Sequence, residues 1–212
     1  MSIKQLFAKW WAKRAVNSTN KWAQNPIPTQ EKVFRRLLQK AKNTTFGQDH
    51  QFSQISNYED FRRHVPIRDY EGLRPYVDKV IAGHPDVLWP GKPRYFSKTS
   101  GTTSGVKYIP ISKESMPMHI KTAQNALLHY IHHSGNTSFV DGKMIFLQGS
   151  PKLKKTGSVL TGRLSGIVAH HVPKYLLKNR LPSYDTNCID NWEEKINSIV
   201  NETVSENMTL IG

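Results

Sequence analysis

The sequence predicts a mixed α/β fold, with helices packed on a partly parallel sheet. Three observations carry this expectation. Apolar residues recur at helical spacing near the start, in the middle and near the end of the chain. Short apolar runs bounded by glycine or proline read as strands between those helices. In the second half strand and helix alternate, as parallel strands joined by crossover helices require.

In chain order, Ile3, Leu6, Phe7, Trp10 and Trp11 fall at i, i+3, i+4, i+7 and i+8, with Lys4, Lys9, Lys13 and Arg14 largely off that stripe. Tryptophans at helical spacing are usually core, so this helix is expected to pack through them on the body of the protein. A helix lying on a membrane surface is the alternative. Asn25-Pro26-Ile27-Pro28 breaks the chain, and Thr29 caps a second helix carrying Val33, Phe34, Leu37, Leu38 and Ala41. A short helix follows Asn57, and another runs from Pro75 to Ala82 with Gly83 as its stop. From Trp89 the character changes. Pro90, Gly91 and Pro93 mark a turn, Arg94-Tyr95-Phe96 reads as a strand, and Lys107-Tyr108-Ile109-Pro110-Ile111 as a second. Ser112 caps a long helix through Met116, Ile120, Leu127, Leu128 and Ile131, which Gly135 ends.

Met144 to Leu147 reads as a short buried strand, and Lys152, Lys154 and Lys155 as a solvated loop. A helix after Asp190 carries Trp192, Ile196, Ile199, Val200 and Val204 on one face, and Met208 to Ile211 forms a last strand. A strand and glycine normally lead into another crossover unit, so the chain is expected to be a fragment. The organisation predicted is a helical segment over 1–43 followed by an incomplete domain over 44–212.

The 212 residues, 37% of them hydrophobic, suffice for a sizeable core. The longest apolar run, Met144-Ile145-Phe146-Leu147, is far below the roughly 18 residues of a membrane span. The start shows no secretory pattern, and Cys188 is the single cysteine, so the expected location is the cytoplasm. The net charge of +14 is concentrated in two blocks. Residues 1–43 hold ten Lys or Arg against Glu31, and residues 92–163 hold eleven against Glu114 and Asp141. Such blocks fit a nucleic-acid or membrane footprint, or an anionic ligand with acidic partner segments elsewhere. Charge alone does not choose between them. No zinc-finger spacing or RNA-recognition signature accompanies the charge, and the expectation is no nucleic acid and no membrane.

The chemistry lies between the two middle strands, in Ser97-Lys98-Thr99-Ser100-Gly101-Thr102-Thr103-Ser104-Gly105-Val106-Lys107. Glycines let backbone N–H groups turn toward one point, and hydroxyls add donors that rotate to suit. A closing lysine supplies a mobile positive charge, so the set suits a polyphosphate. It is not a Walker A loop. Gly101 and Gly105 enclose three residues rather than four, and Val106 separates Gly105 from Lys107. A flexible Gly/Ser hairpin loop is the bland alternative.

Thr99 through Lys107 resembles the phosphate-binding signature of the adenylate-forming enzymes, the superfamily of acyl-CoA synthetases and luciferases. The continuation Lys107-Tyr108-Ile109-Pro110-Ile111-Ser112 is similar to the Gretchen Hagen family of auxin-responsive acyl acid–amido synthetases. So are Val65-Pro66-Ile67-Arg68-Asp69-Tyr70-Glu71 and the stretches around Phe46-Gly47 and Tyr58-Glu59-Asp60-Phe61. Members of that family are more than twice as long, so the resemblance covers only an N-terminal portion. The single residue between Gly105 and Lys107 departs from the two common in the plant members.

The resemblance implies an incomplete adenylate-forming large domain and a two-step ligase reaction. ATP and a carboxylic acid give an acyl-adenylate and pyrophosphate, and an amino acid amine then forms the amide. It implies ATP and Mg²⁺ as cofactors, with Thr99, Ser100, Gly101, Thr102, Thr103 and Gly105 on the phosphates. Lys107 would act electrostatically rather than by proton transfer. It also implies that the adenine and Mg²⁺ contacts lie beyond this span, and that the fragment alone is inactive.

Gln148, after the Met144–Leu147 strand, borders a candidate acyl pocket, since α/β folds bind ligands at the carboxyl ends of strands. His129 and His133 stand at i, i+4, but Tyr130 follows where a zinc protease needs Glu, and a surface helix is the better reading. Two other function classes remain open: a non-catalytic interaction domain on the same fold, and a basic nucleic-acid-binding module.

Overall fold

The computed structural model describes residues 1–99 and 105–212. The helices are α1 (Ile3–Ala23), α2 (Pro26–Ala41), α3 (Thr45–Asp49), α4 (Tyr58–His64), α5 (Tyr70–Ile81), α6 (Ser115–Ser134), α7 (Leu164–Ala169), α8 (Lys174–Leu177), α9 (Tyr184–Asn187) and α10 (Trp192–Thr203). The strands are β1 (Tyr95–Lys98), β2 (Tyr108–Ile111), β3 (Lys143–Ile145), β4 (Lys154–Thr156), β5 (Val159–Gly162), β6 (Arg180–Leu181) and β7 (Met208–Ile211). They form two compact units, one of Met1–Lys21, Pro117–Leu153 and Gly162–Gly212, the other of Trp22–Met116 and Lys154–Thr161.

The second unit holds a four-stranded sheet in the order β2-β1-β5-β4, with β1–β2 and β4–β5 antiparallel. Its core is Val80, Val87, Phe96 and Val159, with Phe96 fully buried. Burying one such phenyl ring stabilises the unit by about 2–3 kcal/mol. The Lys154–Lys155 stretch, expected as a solvated loop, is the edge strand of this sheet. It pairs with Val159–Thr161 across the two-residue turn Gly157-Ser158. Its lysines remain exposed, which is where an edge strand keeps charge to discourage further pairing. Gly157 sits at φ +59, and a Cβ there would come within 2.2 Å of Ile81 O, so conformation and space both demand glycine.

Two helix starts differ from expectation for local reasons. α2 begins at Pro26, not after Thr29, because a proline in the first turn lacks only an N–H that has no helical acceptor there. α5 begins at Tyr70 rather than Pro75. Asp69 caps it by accepting from Gly72 N, and burial of Val77 and Val80 offsets the bond lost at Pro75. The Asn57 cap and the Gly83 stop, at φ +95, fall where expected.

The first unit holds a parallel sheet in the order β6-β3-β7. α1 packs on α6 through a core of Ala8, Ala12, Leu128, Ile131 and Phe139. The fully buried positions of α1 are therefore small residues and Val16 rather than the aromatic stripe, of which Trp11, half-buried, still packs against this core. Ala12 is 0% exposed, whereas Ile3 is 86% and Trp10 54% exposed. Small side chains let two helices approach closely, which the bulky stripe would prevent. The exposed part of the stripe stacks on itself, Phe7 against Trp10, with Arg14 over the Trp10 ring. In α10 the apolar stripe is likewise outward, with Trp192 67% exposed. The buried residue is Lys195, whose Nζ donates to Asn187 O at 2.8 Å. Among the described residues no helix is long and apolar enough to cross a membrane.

Candidate functional site

The hairpin predicted from sequence is built. β1 and β2 bring Lys98 opposite Tyr108, and the pairing continues one step outward. Thr99 N donates to Lys107 O at 3.0 Å, and Lys107 N donates to Thr99 Oγ1 at 3.3 Å. The base of the loop is therefore closed, with Phe96 anchoring β1 from beneath. Tyr70, the first residue of α5, braces the stem: its hydroxyl accepts from Tyr108 N at 2.8 Å. The ammonium of Lys107 stands 5.5 Å from the Tyr70 ring centroid, a cation over an aromatic face.

Thr99 and Gly105 are exposed and Lys107 is half-buried. Gly105 has φ +79, a backbone conformation that favours glycine, and among the described residues nothing stands within 4 Å of a Cβ there. Among the described residues no carboxylate pairs with Lys107. The stem thus offers a hydroxyl, a left-handed glycine and an uncompensated cation at one end of a rigid sheet, donors that suit an anion. Ser100, Gly101, Thr102 and Thr103 lie outside the described residues.

Gln148 lies in the other unit, just beyond the carboxyl end of β3. Phe146 N donates to Leu181 O at 2.9 Å, carrying the β3–β6 pairing past Ile145. The chain then enters a tightly held loop. Gly149 N donates to Ser165 Oγ at 3.1 Å and His170 Nε2 contacts Pro151 O at 2.7 Å. A Cβ on Gly166 would come within 2.3 Å of Ser150 O, and one on Gly149 within 2.7 Å of Arg163 Cδ, so both glycines permit close approach. Gln148 Oε1 accepts from Arg180 of β6, whose guanidinium stands 5.5 Å from the Phe146 ring centroid. Burial pushes the Arg180 pKa below the usual guanidinium value. No pattern in the sequence singles out Arg180. A lone basic residue on a two-residue strand has no periodicity, and only the sheet register brings it to Gln148.

His129 and His133 stand on α6 with ring centroids 6.1 Å apart, and His129 Nε2 is 3.0 Å from Thr19 Oγ1. Among the described residues no group of three or more His, Cys, Asp or Glu comes together as metal ligands would.

Helices packed on a partly parallel sheet are the fold of the N-terminal part of acyl acid amido synthetase structures. The GH3.15 acyl acid amido synthetase in complex with 2,4-DB superposes with a TM-score of 0.64 at 18% identity, covering 94% of this chain and 30% of that one. The model of the GH3 family N-terminal domain matches residues 15–186, and the chain belongs to that family. Among curated relatives, the indole-3-acetic acid-amido synthetase GH3.15 of Arabidopsis thaliana is 28% identical over 137 residues, 63% of this chain and 22% of its own length. The jasmonoyl–L-amino acid synthetase JAR6 of Nicotiana attenuata is 22% identical over 165 residues, 76% of this chain and 28% of its own length. The chain thus spans about a quarter of the length of these relatives.

Proposed function

We propose that this chain supplies the phosphate-gripping N-terminal portion of an ATP-dependent acyl acid–amido synthetase. The observation that carries the reading is the closed stem: Thr99 and Lys107 bonded across the loop base, with Lys107 half-buried over Tyr70 and, among the described residues, without an acid partner. Membership of the GH3 family supports the same reading. ATP, when bound with Mg²⁺, would activate the carboxylic acid as its adenylate. The chain's own part is to hold and orient. Thr99, Ser100, Thr102 and Thr103 donate hydroxyls, Gly101 and Gly105 open the backbone to the phosphates, and Lys107 offsets their charge without moving a proton.

An interaction domain on the same fold would keep the stem but ignore nucleotide. Calorimetric titration with Mg·ATP separates the two. The wild-type chain should bind, and Thr102→Ala with Lys107→Ala should weaken binding by at least about tenfold, as expected when a charge-assisted hydrogen bond and an ion contact are both lost. Equal affinity in the double variant would remove the loop from the reaction. On its own the chain should form no amide, because it spans about a quarter of its relatives' length.

A further inference from the structure

We infer that Arg180 and Gln148, at the carboxyl end of β3, form a receptor for the carboxylate of a small organic substrate; the choice of ligand rests on the proposed amide-forming activity. A guanidinium offers five N–H donors in a planar fork. Arg180 uses one toward Gln148 Oε1 and lays its face on Phe146, and among the described residues no carboxylate lies within ion-pair distance of it. A cation half withdrawn from water without a counter-ion is unfavourable, and a carboxylate answers it with two oxygens spaced for the fork. The Gln148 amide turns its oxygen to Arg180, which leaves its two N–H groups to donate to the same ligand.

The chain segment that carries both residues has no acid between Asp141 and Asp185. The position favours a ligand. β3 has parallel neighbours on both sides, and α/β sheets bind ligands beyond the carboxyl ends of such strands. The clamp of Gly149 on Ser165, and of Pro151 on His170, fixes the loop in advance, so little ordering is left to oppose binding.

Two substrates of the proposed reaction carry a carboxylate, the acyl acid and the amino acid, and separate probes tell them apart. The arginine Nε–H resonances of the 212-residue chain are followed while sodium benzoate, glycine or inorganic phosphate is added at constant ionic strength. The expected result is a saturable shift of the Arg180 signal with benzoate or glycine at millimolar concentration, the tighter probe identifying the source. Arg180→Lys, which keeps the charge but loses the fork, should weaken that binding at least about tenfold. Should that variant not fold, Gln148→Ala should weaken it several-fold with the backbone spectrum unchanged. No response of Arg180 to either carboxylate would overturn the receptor, as would phosphate binding equally tightly or variants that bind like wild type. The assay contains no nucleotide. Carboxylate binding without ATP binding would therefore reject the proposed function and keep the receptor, and the reverse pattern would reject the receptor alone.

Discussion

Tyr70→Phe removes one oxygen from the brace beneath the loop and leaves the rest of the ring in place. In the wild type that oxygen accepts from Tyr108 N at 2.8 Å, within a half-buried part of the stem. A hydrogen bond of this kind contributes about 1 kcal/mol net, and leaving its donor unsatisfied costs about 1–3 kcal/mol. The variant should therefore open the stem locally by about 1–2 kcal/mol, a factor of roughly 5–30 in the closed-to-open ratio. Native-state hydrogen exchange reads this directly, as faster exchange of the Tyr108 amide by that factor. The amide of Arg94, which bonds Ile111 O at the far end of the hairpin, should keep its protection. The Phe ring still faces the Lys107 ammonium, so the change isolates the hydroxyl. Unchanged exchange at Tyr108 would refute the brace, and equal acceleration at both ends would show that the hydroxyl acts on the whole unit rather than on the stem.

Gly157→Ala should cost about 2 kcal/mol or more in urea unfolding, since a left-handed alanine is strained by about 1–2 kcal/mol and its Cβ meets Ile81 O. In α1, Ala12→Leu should destabilise by about 1–3 kcal/mol through overpacking, while Phe7→Ser should stay within about 0.5 kcal/mol. The opposite order would mean that the helix packs through its aromatic stripe. At Glu202 burial raises the carboxyl pKa, but hydrogen bonds from the Thr186 and Ser183 hydroxyls and the Ser183 amide outweigh it, so the folded value lies below the ordinary range. Its stabilisation is then present above the unfolded pKa and lost as pH falls through the folded one. Glu202→Gln should accordingly flatten the acid side of a stability–pH profile, and an unchanged slope would contradict the assignment.

Much of the fold was legible from local signals. The cap at Asn57, the stop at Gly83, the helix start after Asp190 and the strands on either side of 99–107 are short-range events that a few residues encode. Burial was less legible. Apolar spacing marked α1 and α10 correctly as helices but missed their most buried positions, in α1 because Ala8 and Ala12 carry little hydrophobic signal yet permit the closest packing, with Trp11 alone of the expected stripe reaching that core. The β4–β5 hairpin hid behind its lysines, which belong on an edge strand. Of the candidate site, the stem residues Thr99, Gly105 and Lys107 were readable as a motif. Tyr70 under Lys107 and Arg180 beside Gln148 depend on contacts between residues 37 and 32 positions apart, and no pattern in one sequence reports such meetings.

The most direct test is hydrogen exchange across residues 97–107 with and without saturating Mg·ATP, with adenosine as the control lacking phosphates. Slowed exchange with ATP, confined to that segment and its stem and missing with adenosine, is the predicted outcome. Exchange indifferent to ATP, or slowed equally by adenosine, would contradict a loop that holds phosphate.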